Sequence, residues 1–148
     1  SMSTKPAERL RYLVAVIPVK LFAISSYDLN LKPAREKWSK KEIIGHLIDS
    51  AANNHQRFIR VQYEDVPTII YDQNKWNNLN GYADCDAEEL IKLWAAYNLH
   101  LANIMDRIKE PELQRLCDTG GVVPVTLQWL IKDYVVHLEH HLRDIIDY

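Results

Sequence analysis

The residues of this sequence best placed to do chemistry lie in Tyr134-Val135-Val136-His137-Leu138-Glu139-His140-His141. His137 and His141 are four positions apart, so on a helix their imidazoles project from one face and can bind one ion. They fall in line with Leu130, Tyr134, Leu138 and Ile145, the stripe expected to point into the fold. Imidazoles placed there are costly unless their ring nitrogens are hydrogen-bonded or ligated. A bound metal ion removes that cost, and neutral imidazole is the commonest metal ligand. The competing reading is a pair of core histidines bonded to neighbours such as Tyr134 or Glu42. His140 is turned about 100° from His141 and is expected to face outward. The metalloprotease pattern H-E-x-x-H is absent, because Leu138 and Glu139 fill the wrong places.

A third imidazole comes from another segment. His46 lies beside an apolar stripe of Ile43, Leu47, Ala51, Phe58 and Val61, with Ser50, Asn53 and Arg57 continuing a polar row. A polar row flanked by apolar residues suggests a lined cavity. Three histidines from two helices leave coordination positions open for water or substrate, as a catalytic site requires. Asp49 is placed to orient the His46 ring or to hold a water, and Asp49 and Tyr134 are the candidate catalytic groups that would move a proton. Histidine-only ligation suits zinc, nickel, iron or copper, with one divalent zinc or nickel ion the leading expectation; affinity order alone does not choose among them.

These residues need helices to position them, and the periodicity supplies four. Leu10, Leu13, Val14, Ile17, Leu21 and Ile24 recur at helical spacing over about residues 5 to 27, with Pro18 predicting a kink or break. Ser39 and Glu42 form a capping box that opens the helix carrying His46. The period is lost between Tyr63 and Asp86, in an aromatic and amide-rich connection where Tyr71, Asp72 and Trp76 are candidates for a pocket mouth. Asp86 and Glu89 read as a second capping box, opening a helix through Leu90, Leu93, Trp94, Tyr97, Leu101, Ile104, Met105 and Ile108. Gly120-Gly121 marks a turn, Thr126 is a candidate cap, and Leu127 to Ile145 form the last amphipathic helix. Four such helices without a strand signal imply a helical bundle, with residues 1–148 as one domain.

Composition narrows the function classes. The chain has 148 residues with Lys+Arg 18 against Asp+Glu 20, a formal charge of −2, a poor match to a polyanion. No nucleic-acid partner is expected. Cys85 and Cys117 are the only cysteines and are read as free thiols in a reducing compartment. No signal segment and no bilayer-length apolar run is apparent, so no membrane partner and a cytoplasmic location are expected.

Three segments carry a family resemblance: WSKKEIIGHLIDSAANNHQRF, the connection motif YDQNKW, and VTLQWLIKDYVVHLEHHLRDI. In this order and spacing the chain resembles the DinB-like superfamily, in particular its YfiT-related branch of metal-dependent hydrolases. The resemblance implies an all-α, up-down-down-up four-helix bundle with a three-histidine metal site, here His46, His137 and His141. It also implies frequent homodimers, and in some members transfer of a low-molecular-weight thiol to a small-molecule substrate. A non-catalytic metal-binding or scaffold bundle is the alternative.

Overall fold

Apolar residues at helical spacing build four long helices, and the directions in which they pack bring the histidines together. A computed structural model of the chain describes residues 4–148. Among the described residues there are six α-helices: α1 Thr4–Phe22, α2 Ser26–Asn30, α3 Lys40–Arg60, α4 Gln73–Asn80, α5 Ala87–Arg107 and α6 Leu127–Arg143. The four long ones form a four-helix bundle, and their directions follow from who meets whom. Arg11 near the start of α1 bonds Asn103 near the end of α5, so these two run antiparallel. Lys5 and Pro6 line one groove with Lys132, and Arg9 pairs with Glu139 further along both helices, so α1 and α6 run in the same sense. His46 and Phe58 of α3 meet His141 and Tyr134 of α6, which sets α3 against α6. The order is up-down-down-up.

Two successive long helices that run parallel, α3 and α5, need a return connection as long as the bundle. Residues 61–86 provide it. The sequence suggests an irregular stretch there, but it contains α4 and a 3₁₀ turn at Tyr82–Asp84. Asp72 caps α4 by accepting from the Lys75 amide, and Gly81 ends it at φ +65°, a left-handed conformation that favours glycine.

The remaining signals divide. Ser39 and Glu42 form their capping box reciprocally, and Thr126 caps α6 by accepting from the Trp129 amide. Asp86 stands at the N-cap of α5 but its carboxylate accepts no amide, so the second expected box is not made. Glu88 and Glu89 still place negative charge at that helix's positive end. Pro18 does not break α1, which runs on to Phe22. Ile17 and Leu21 on either side are buried, and that packing outweighs one lost backbone hydrogen bond. A two-residue antiparallel pair, β1 Leu116–Cys117 with β2 Val125–Thr126, brackets the Gly120-Gly121 turn and was not signalled by sequence period. Trp94, Phe58, Leu101 and Met105 fill the centre of the bundle.

Candidate metal centre

α3 and α6 run antiparallel, so the first turns of one face the last turns of the other. That arrangement sets His46 opposite His137 and His141. The ring centroid of His46 lies 5.5 Å from that of His137 and 4.7 Å from that of His141. One ring nitrogen from each of the three falls within 4.8 Å of the others. The Nε2 atoms of His137 and His141 are 3.2 Å apart. Two nitrogens bound at zinc–nitrogen distances of about 2.0–2.1 Å across a tetrahedral angle stand about 3.3 Å apart, so this pair is already at ligand spacing.

His46 carries the strongest sign of a missing partner. It is 0% exposed, and neither its Nδ1 nor its Nε2 has a hydrogen-bond partner among the described residues. Leaving such nitrogens unpaired in the interior costs about 1–3 kcal/mol each. Trp38 packs against the ring with centroids 4.8 Å apart and planes tilted by 33°, a wall the sequence reading missed, and satisfies neither nitrogen. The alternative partners named for the α6 pair are engaged elsewhere: Tyr134 donates to Asn98 Oδ1 at 2.5 Å, and Glu42 accepts from the Ser39 amide. Burial, and then the neighbouring rings of His141 and His137, push His46 down to about 3. Burial also lowers His137 and His141, each against an opposing pull from a nearby aspartate. The three rings are therefore held neutral, the form that ligates metal. A divalent cation fits this donor set.

Asp49 is buried, but it faces the connection. Its Oδ1 accepts from the Tyr82 hydroxyl at 2.6 Å and from Asn80 Nδ2 at 3.0 Å, while Oδ2 is buried without a partner. Burial raises this carboxyl to about 6, with the Tyr82 hydroxyl acting in the opposite direction. Tyr82 and Asn80 were not singled out from sequence; a buried aspartate on the histidine helix was the available signal. Tyr134 is buried and its phenol is pushed far up by burial, with its proton committed to Asn98. Tyr71 packs against Trp76 at 5.8 Å. His55 Nδ1 sits 2.8 Å from the Tyr97 hydroxyl, and His100 and His140 are exposed; none of these joins the cluster.

A cleft of about 230 Å³ opens beside the cluster, lined by Ser50, Asn54, Arg57, Tyr71 and His137 among others. Larger grooves lie between α1 and α6 and around Leu29 and Lys41, and neither includes a residue of the histidine cluster.

These shifts have a consequence for stability in the absence of metal. His46 sits at about 3 when folded against an ordinary 6.5, so on acidification the unfolded chain binds its proton first. The stability of neutral His46 is complete above pH about 6.5 and is lost as pH falls; at about pH 5 the loss is about 2 kcal/mol. Asp49 acts oppositely: it rises from 3.8 to about 6, so its folded form gains the proton first and offsets part of the loss. The metal-free protein is expected to unfold at lower denaturant at pH about 5 than at pH about 7, with a steeper fall in Asp49→Asn. Greater stability at the lower pH would contradict these assignments.

The comparisons with known proteins agree with the architecture. The model of the DinB superfamily matches residues 19–145. The chain is 25% identical over 114 residues to "Putative metal-dependent hydrolase YfiT" of Bacillus subtilis, covering 74% of this chain and 63% of that protein. A protein of Oceanobacillus iheyensis with the same description is 23% identical over 126 residues, covering 83% of this chain and 71% of its own length. One of Halalkalibacterium halodurans is 25% identical over 137 residues, covering 89% and 80%. The solved structure of YfiT from Bacillus subtilis, described as a probable metal-dependent hydrolase with an unusual four-helix bundle topology, superposes with a TM-score of 0.81. That match has 21% sequence identity and covers 94% of this chain and 83% of that one.

Proposed function

The chain belongs to the DinB superfamily, and from that premise we propose that it is an enzyme holding one divalent metal ion with His46, His137 and His141. Its action is on a small molecule, by hydrolysis or by transfer of a low-molecular-weight thiol. The observation that carries this reading is the fully buried His46 ring, with both nitrogens unpartnered, set against two other imidazoles. The relatives, each named "Putative metal-dependent hydrolase", support a metal-dependent function. When bound, a divalent ion on neutral ligands supplies Lewis acidity, lowering the pKa of a coordinated water or thiol and polarising a substrate oxygen. We take zinc or nickel as the ion.

The chain's own residues supply position. Trp38 packs against the His46 ring. Asp49 ties Tyr82 and Asn80 of the return connection to α3, one turn beyond His46, and so sets the wall behind the site. Tyr134 packs beside the cleft with its hydroxyl fixed by Asn98. No further His, Cys, Asp or Glu joins the three histidines among the described residues. A closed scaffold site would need a fourth ligand, whereas three ligands beside a cleft suit turnover.

The test is a screen of activated esters, and of electrophiles with small thiols, on protein before chelation, after it, and after zinc or nickel is returned. Turnover is expected to fall by more than about tenfold on chelation and to recover with metal. Turnover that survives complete removal of metal would overturn the mechanism, and none in any metallated sample would favour the scaffold.

A further inference from the structure

The cleft beside His137 holds one cation, Arg57, that makes no ion pair. Arg57 lies on α3 and is half-buried. Its Nε and Nη2 both donate to the Ile69 carbonyl, at 3.2 and 2.7 Å, and Nη1 reaches Asn54 Oδ1 at 3.5 Å. A guanidinium has five N–H groups, so donors remain unused. The arginines that form ion pairs among the described residues are Arg9, Arg11, Arg60, Arg115 and Arg143. Arg57 makes no ion pair among the described residues, and Asp133 acts on it only at longer range. Asp133 is the one acidic residue lining the cleft, exposed on α6. The rest of the polar wall consists of neutral side chains such as Ser50, Asn54 and Tyr71. A partly desolvated cation without a directly bonded counter-charge is costly, and an oxyanion presented to its fork offsets that cost through strong, charge-assisted hydrogen bonds.

We propose that this cleft is an anion subsite: Arg57 selects small molecules that carry a carboxylate or phosphate group. His137 lines the same cleft, so the other end of such a molecule lies at the histidine cluster. That orientation rests on the metal reading given above; the anion subsite itself does not. The volume, about 230 Å³, lies below the range of about 300–1,000 Å³ that holds drug-sized ligands, so the molecule is small.

Succinate, inorganic phosphate and neutral succinamide provide matched probes, titrated calorimetrically into zinc-treated and metal-stripped full-length protein. At least one anion is expected to bind about tenfold or more tighter than succinamide in both preparations, a difference of about 1.4 kcal/mol. Which anion gains more distinguishes carboxylate from phosphate. Arg57→Gln is expected to erase the preference while zinc content stays that of wild type. Asp133→Asn, which removes the only acid lining the cleft, should tighten anion binding several-fold and serves if Arg57→Gln loosens the connection held through Ile69. Equal binding of anion and amide in the metal-stripped protein, or an anion preference that survives Arg57→Gln, would overturn the subsite. An unchanged affinity in Asp133→Asn would do the same. Failure of zinc to bind wild type would instead overturn the metal reading, and the metal-stripped arm would still decide the subsite.

Discussion

His46→Leu is expected to weaken metal affinity by more than about 100-fold and, at the same time, to make the metal-free protein more stable. Both effects follow from one fact: the ring is fully buried with two unpartnered nitrogens. Each unpaired polar atom in the interior costs about 1–3 kcal/mol, and an apolar side chain of similar volume carries no such cost. Leucine also keeps the contact with Trp38. Denaturant unfolding of chelator-treated wild type and variant should show a gain of about 1–2 kcal/mol for the leucine. The order should reverse when metal is added, because only wild type then gains from binding the folded state. A leucine variant that loses stability without metal would mean that His46 has protein or water partners that satisfy it, and that its burial has no need of an ion.

The second large effect is expected one residue earlier. A Cβ at Gly45 would stand 2.2 Å from Tyr82 Cδ2 and 2.3 Å from its Cγ, inside the ring rather than beside it. Tyr82 cannot swing away freely, because its hydroxyl donates to the buried carboxylate of Asp49. Gly45→Ala is therefore expected to destabilise the fold by about 1–3 kcal/mol, despite alanine's better helix propensity. It should also weaken metal binding, since the displaced ring backs the helix that carries His46. In a Tyr82→Ala background the same substitution should cost little or become favourable, and the double-mutant cycle reads that coupling directly. Additive effects of the two substitutions would show that the 3₁₀ turn at Tyr82–Asp84 does not pack against α3 as described.

These two expectations mark what the sequence made legible and what it hid. The long helices were readable because Leu10, Leu13, Ile17 and Leu21, or Leu127, Leu130, Ile131 and Tyr134, recur at the helical period and are buried accordingly. Ser39 with Glu42 and Thr126 announced their caps, since capping uses local hydrogen bonds. The spacing of His137 and His141 and their place on the buried stripe pointed to a shared site, and the structure sets His46 against them. By contrast, α4 is only eight residues long and mostly polar, so its period was too brief to register beside the aromatic residues around it. Asp72 and Gly81 at its ends were the signal that was there to use. Asp86 shows the limit of local rules: residue types suited to a capping box did not form one. The partners of Asp49 could not be read locally either, because Asn80 and Tyr82 reach it from 31 and 33 positions away.

The central claim is that three imidazoles converge on one cation, and elemental analysis of tag-free protein tests it most directly. Wild type, His137→Ala and His141→Ala are equilibrated with zinc or nickel, passed through a desalting column, and their metal content is measured against protein concentration. The account predicts about one ion per chain in wild type and little in either variant, with circular dichroism showing the bundle retained in all three. Equal metal content in wild type and variants, or none in wild type, would contradict it.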